Sequence, residues 1–320
     1  MRASTGGAYL VTGSLGCIGA WTLRHLVSEG ASVVSFDVSD DRRRLDLLLP
    51  REEQEKIHFV QGEISDVDAL ASTLERFRVD RIIHLAALQI PFCKADPVTG
   101  ARVNVVGTVS VFEAARRAGL SHLAYASSLA VHGEVQDGVS GDPGTLYGVY
   151  KQANEGTARV YWQDWGVSSL GLRPYTVYGV GRDQGLTSEP TQAMLAAASG
   201  EPYEIGFGGR MQFHYASDVA RQFIEAADAP LAGAKAFDLG TAPVAVADVV
   251  RIIRDVKPGS RVSLIEDEHL PFPEGFGDSE RERYLPKSRV TPLEQGIRET
   301  IAQFESLLAE GKGHLLRPTR

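Results

Sequence analysis

The sequence predicts an α/β fold, a doubly wound parallel sheet followed by a smaller, irregular C-terminal lobe. Three observations carry this. Short apolar runs alternate with helical patterns through residue 172. A glycine turn, Gly13 to Gly19, joins the first of these runs to the first helix. The polar and glycine positions with chemical potential fall at strand ends: the turn itself, Asp37, Ala86-Ala87 and Ser127-Ser128. Alternating strands and helices specify a parallel sheet covered on both faces by right-handed crossovers, and such sheets bind ligands at the carboxyl ends of their strands.

The elements follow in order. Ala8 to Val11 is the first strand. Gly13 allows a tight turn, Gly16 admits a phosphate to the backbone, and Gly19 lets the helix pack close to the strand. Leu15, Cys17 and Ile18 complete the turn, whose helix aims free N–H groups and a positive dipole end at an anion. Gly30 stops that helix. Ala31 to Phe36 is the second strand and ends in Asp37, roughly 20 residues past the turn, where an acid can hold both hydroxyls of an adenosine ribose. The alternative is a strand-turn-helix whose glycines serve packing only. Asp37 repels a 2′-phosphate, so NAD is favoured over NADP. Arg42, Arg43 and Arg44 could meet that phosphate but read as a solvated charged turn.

Ile57 to Gln61 is the third strand, and Ser65 or Asp66 caps a helix over 67–77. Arg81 to Ala87 is the fourth strand, followed by a long helix from about Pro97 to Ala118. His122 to Ser128 and Val167 to Leu172 are the fifth and sixth strands, with a helix from Tyr147 to Trp165 between them. After Arg173 the rhythm breaks. The expected division is a Rossmann-like NAD-binding domain over 1–175 and a substrate-binding lobe over 176–320, part of which rejoins the sheet. The tail from Gly311 reads as frayed.

Composition narrows the partners. The chain has 320 residues, 43% hydrophobic and 23% charged, with a net charge of −8. That balance argues against nucleic acid or an anionic membrane surface. No apolar run reaches the roughly 18 residues of a membrane helix, and no signal peptide precedes Gly7, so the chain reads as cytoplasmic. Two cysteines, Cys17 and Cys93, have no metal spacing, and no metal is expected.

Tyr147 and Lys151 stand four residues apart at the start of a helix, on one face. A neighbouring ammonium, the helix dipole and an oxidised nicotinamide would each lower the phenol pKa toward that of a general base. Ser128, at the end of the fifth strand, can hydrogen-bond the reacting oxygen. Each alone matches a common structural pattern; the glycine turn upstream gives them weight.

Together these residues resemble the extended short-chain dehydrogenase/reductase family, also called the NAD-dependent epimerase/dehydratase family. His84-Leu85-Ala86-Ala87, Asn104-x-x-Gly-Thr, Leu172-Arg173-Pro174, Val177-Tyr178-Gly179 and Ser217-Asp218-Val219-Ala220 look like further family motifs. The resemblance implies that Tyr147 is the acid/base, that Lys151 holds the nicotinamide ribose, and that Ser128 polarises the substrate oxygen as hydride passes to nicotinamide C4. It places Glu63 and Ile64 at the adenine, Leu85, Ala86, Ala87 and Asn104 beside the cofactor, and Pro174 and Val177 near the nicotinamide. It also implies a homodimer through helices near 100–117 and 147–163.

Departures bear on the substrate. Leu129 and Ala130 stand where the family's dehydratases carry Asp-Glu, and neither can move a proton, which argues against sugar dehydration. Thr176 replaces an Asn that contacts nucleotide sugars, and Met211 replaces a diphosphate-binding Arg, with Arg210 one residue off. Gln89, Arg182, Arg210 and His132 are polar candidates near the pocket; an acid substrate would want Arg182 or Arg210, and His132 reads as a packing residue. The first expectation is an NAD-dependent dehydrogenase of a small sugar, polyol or sugar acid. The second is a nucleotide-sugar epimerase without net redox. The third is an NAD-sensing protein without chemistry, against which the presence of both Tyr147 and Lys151 speaks.

Overall fold

The computed structural model describes residues 7–133, 135–136, 139–270, 272–277 and 280–316. Seven strands form the central sheet: β1 (Ala8–Thr12), β2 (Val33–Asp37), β3 (Ile57–Gln61), β4 (Val79–His84), β5 (His122–Ala126), β6 (Ser168–Arg173) and β7 (Ala234–Asp238), in the order β7-β6-β5-β4-β1-β2-β3. All neighbours are parallel. The order reverses between β1 and β4, and a crevice opens at such a switch point.

Period-two alternation explains why both faces are covered. Leu10, Val34, Ile82 and Leu123 point into one apolar cluster; their neighbours Val11, Val33, Ile83 and Ala124 point into the other. The first cluster is roofed by α2 (Val67–Arg76), α3 (Gly107–Arg117) and α4 (Leu146–Trp165), through Leu70, Phe112 and Tyr161. The second is roofed by α1 (Cys17–Ser28) and α5 (Ala216–Asp228), through Trp21, Leu26 and Phe223, and continues to Ile301 and Phe304 of α6 (Leu293–Ala309). The second half of the chain thus shares a core with the first, and β7 extends the sheet beyond β6 with Phe237 beside Leu172.

Local signals account for the helix ends. Asp66 Oδ1 accepts the N–H groups of Asp68 (3.1 Å) and Ala69 (2.9 Å), capping α2. Thr145 caps α4, and Gly166, at φ 69°, closes it with a left-handed residue. The expected long helix over 97–118 is not uniform. It is wound as a π-turn over Arg102–Val106, between α-helices Pro97–Ala101 and α3. The extra residue swings Asn104 inward, where its Nδ2 donates to Leu88 O and its Oδ1 accepts Leu88 N–H, both at 2.9 Å. The start of the tail is docked, not frayed: Lys312–Leu315 form a 3-10 turn and Leu316 is buried. Residues 317–320 lie outside the described residues.

Candidate active site

At the carboxyl end of the sheet lies a cleft of ≈ 420 Å³. Gly13, Leu15, Gly16, Cys17, Ile18 and Gly19 form its floor, Asp37 closes one end with Glu63 and Ile64, and Leu85, Ala86 and Ala87 line the side. Ser128, Tyr147, Lys151, Pro174 and Val177 close the other end, with Gln89 and Arg182 at the rim. The sequence spreads these groups over 170 positions (13 to 182); the parallel strands bring them to one crevice because each strand ends on the same edge.

The floor is built for an anion. Gly13 sits at φ 63°, and a Cβ there would meet Ala86 N at 2.5 Å, so only glycine lets β1 turn this close to β4. Gly16 caps α1 without a side-chain hydrogen bond, and no acidic residue occupies the first turn. The first N–H groups of α1 are therefore offered to the cleft. Asp37 is held in place by its neighbours: Oδ2 accepts Leu15 N–H at 2.9 Å and Oδ1 accepts Ser39 N–H at 3.1 Å. A diphosphate on the helix end and a ribose at Asp37 match this donor and acceptor set, so the residues fit NAD.

At the opposite end, Lys151 Nζ lies 5.6 Å from the centre of the Tyr147 ring and donates to Ala126 O at 2.6 Å. Burial lowers the lysine pKa to about 8. Burial pushes the Tyr147 phenol up to about 12, against which a hydrogen bond from Ser128 and the charge of Arg182 pull it down. The expected fall of the tyrosine pKa therefore does not occur in the protein alone, because desolvation outweighs the neighbouring charges. One of the charges in that expectation, the oxidised nicotinamide, comes with the cofactor.

Four expected site residues lie outside the cleft. Asn104 is turned into its π-turn and ties Leu88, as above. Thr176 is buried, and its hydroxyl donates to Met211 Sδ at 3.1 Å. Arg210 and Met211 form a short strand paired antiparallel with Val244–Ala245, so successive side chains point to opposite faces. Met211 goes into the core, and Arg210 goes outward, donating to Pro243 O and facing Glu274 at 3.5 Å.

Other residues enter without having been singled out. Tyr175, Thr187 and Phe272 also line the cleft. Their loops carry no spacing signal; the shared Tyr175–Phe272 edge-to-face contact (6.2 Å between centroids) exists only after folding. Arg43 and Arg44 are not a solvated turn. Both bind Asp183, Arg43 Nη2 at 2.9 Å and Arg44 Nη2 at 2.7 Å, which clamps the 179–187 loop over the glycine turn. Arg42 lies over the Phe59 ring instead, 3.5 Å from its centre. His132 Nε2 meets Asp238 at 3.1 Å and its ring packs on Phe276.

Residues 9–240 match the family described as the NAD dependent epimerase/dehydratase family. The chain belongs to this family. It is an NAD-dependent enzyme of the extended short-chain dehydrogenase/reductase type. A UDP-glucose 4-epimerase of Mycolicibacterium smegmatis (strain ATCC 700084 / mc(2)155) is 29% identical over 317 residues, covering 93% of this chain and 98% of that one. UDP-glucuronate 4-epimerase 4 of Arabidopsis thaliana is 28% identical over 349 residues, covering 98% and 79%. In fold, the chain resembles the crystal structure of a Thermus thermophilus UDP-glucose 4-epimerase in complex with NAD, with a TM-score of 0.78 at 23% identity over 93% of this chain and 98% of that one. Among the described residues no helix is long and apolar enough to cross a membrane, and no group of three or more His, Cys, Asp or Glu is placed to hold a metal.

Proposed function

We propose that the protein moves hydride between NAD and a carbinol carbon of a carbohydrate substrate, with Tyr147 as acid/base. The observation that carries this is the meeting of Ser128, Tyr147 and Lys151 in one cleft with the glycine turn and Asp37. NAD supplies the hydride acceptor. Tyr147 takes the hydroxyl proton, Ser128 holds the oxygen on which charge develops, and Lys151, one helical turn on, places its ammonium 5.6 Å from the centre of the phenol ring.

The names of the relatives favour nucleotide-sugar epimerisation over the dehydrogenase that the sequence ranked first: the same carbon is oxidised and reduced again, with no net NADH. One observation keeps net oxidation of a smaller substrate as the second reading. Met211 is buried against Thr176 and Arg210 points outward, so neither offers a cation to a substrate diphosphate. Incubation with NAD and UDP-glucose or UDP-glucuronate, read by NMR for the epimer and by absorbance for NADH, separates the two. Epimer without NADH supports the first; NADH from free sugars, polyols or sugar acids supports the second. Tyr147→Phe should cost about 10²–10⁴ in turnover while NAD still binds; undiminished turnover would refute the assignment.

The same reading includes a homodimer. Val106 and Val109 on the 97–117 helical stretch and Val149, Val160 and Trp165 on α4 are exposed apolar side chains on the two helices expected to pair. The division at 175/176 is read as one of labour between cofactor and substrate, since the two halves share a core.

A further inference from the structure

Arg182 carries a charge that only the field of neighbouring Asp183 offsets, without an ion pair among the described residues. The 179–187 loop delivers it to the cleft, where Nη2 donates to Thr187 Oγ1 at 3.2 Å and Nε is sequestered without a partner. Among the described residues no carboxylate lies within ion-pair distance of it. Asp183, next in the chain, already receives Arg43 and Arg44. Gln89, on the facing rim, holds a second buried and unpartnered atom, Oε1. Gly185 makes room for both. It sits at φ 99°, and a Cβ there would collide with Gln89 Oε1 and approach Arg182 Nη2 to 3.1 Å.

A cation withdrawn from water without a counter-charge is costly, and burial accordingly lowers the guanidinium pKa. Such a group is poised for a ligand that brings the missing negative charge. Arg182 and Tyr147 line the same cleft, so an anion held by the guanidinium would share that cleft with the reacting carbon. Arg210, the other candidate cation, faces Glu274 on the outside.

We propose that Arg182 is the specificity-determining residue of the substrate pocket: its guanidinium receives the carboxylate of a sugar acid whose carbinol is presented to Tyr147. This rests on the hydride-transfer reading above and narrows its substrate to acids, free or nucleotide-linked. The guanidinium also shares a pocket lining with Gly16 and Cys17 of the glycine turn, so the diphosphate of the cofactor is the other source of such an anion. The experiment separates the two sources.

Calorimetric binding to the NAD-saturated protein is measured for two matched pairs, galacturonate against galactose and UDP-glucuronate against UDP-glucose. Each is repeated with Arg182→Met and Arg182→Lys. A charge-assisted pair is worth about 10- to 100-fold in affinity. The expected result is a preference of that size for the acid in at least one pair, lost in Arg182→Met, partly kept in Arg182→Lys, with the Kd for NAD within twofold of the parent. No acid preference in either pair would overturn the proposal. So would a tenfold loss of NAD affinity in Arg182→Met, which would assign the guanidinium to the cofactor. Tyr147→Phe keeps the acid preference while losing turnover if both readings hold. If it turns over normally, the hydride-transfer reading fails whatever Arg182 binds.

Discussion

Replacing Asp183 by Asn removes one negative charge from between two guanidinium groups while keeping its shape. Asp183 is 10% exposed, Arg43 8% and Arg44 19%, so all three are largely withdrawn from water. The contacts are 2.9 Å from Arg43 Nη2, 2.9 Å from Arg44 Nε and 2.7 Å from Arg44 Nη2. With charge centres about 4 Å apart and an effective dielectric constant of about 20, each pair contributes about 4 kcal/mol of gross attraction. Desolvation offsets much of this, but two largely buried guanidinium groups lose their shared carboxylate, and removing one partner of a buried pair typically costs about 3–5 kcal/mol. At about 2 °C per kcal/mol, the value suited to a larger chain, Tm should fall by about 6–10 °C. Scanning calorimetry at low and at 0.5 M salt (roughly a 4 Å Debye length) is the assay. The loss should persist at high salt, because buried pairs are screened little. Adding Arg44→Met to Asp183→Asn should restore part of the loss, since it removes one of the stranded charges. A fall of less than about 2 °C, or one that disappears in salt, would show that the cluster is solvated and that the 179–187 loop is not clamped through it.

Three further outcomes are expected. Gly19→Ala places a Cβ 2.6 Å from Ser14 Cα and against Gly13 O, backbone that cannot yield, so fluorescence titration should find NAD affinity reduced by at least tenfold. Asp37→Ser removes the charge that repels a 2′-phosphate, and the ratio of Kd for NADP to Kd for NAD should fall by at least tenfold. Acid should unfold the protein through buried histidines. Burial lowers His84 to about 3, and His25 and His214 to about 4, against an ordinary value of 6.5. Between those limits the unfolded chain binds more protons than the native one, so stability is full above pH 6.5 and is lost as pH falls, by up to about 1.4 kcal/mol per pH unit for each proton. Urea midpoints that stay flat from pH 7 to pH 5 would contradict this.

His84 shows how a family motif can be legible while its physical role is not. The sequence marks His84-Leu85-Ala86-Ala87 as a cofactor-side motif, and Leu85 to Ala87 do line the cleft. The imidazole itself lies underneath, between Thr12 Oγ1 at 2.7 Å and Thr108 Oγ1 at 3.0 Å, binding β1, β4 and the start of α3 together. Ser127 is similar: it borders the cleft, but its hydroxyl donates to Glu155, which Arg173 holds through two contacts at 2.7 Å.

The features legible in the sequence are local ones. Strand, glycine turn and helix follow from apolar runs and from residues whose backbone freedom is intrinsic. Asp37 sits at the cleft because it ends a strand, and Tyr147 and Lys151 share a face because four residues make about one helical turn. The parallel sheet follows from the alternation of such units. Where long side chains in irregular segments point was settled by tertiary packing. Arg210 and Met211 exchange inside for outside through pairing with Val244–Ala245. Arg43 and Arg44 are held by an aspartate some 140 residues away. Asn104 is turned by a π-turn that helical periodicity does not show. Arg182, Thr187 and Phe272 reach the cleft from loops whose path is set by packing against distant elements. A strand or helix fixes side-chain direction through its own period; a loop has none, so its direction is set by whatever it packs against.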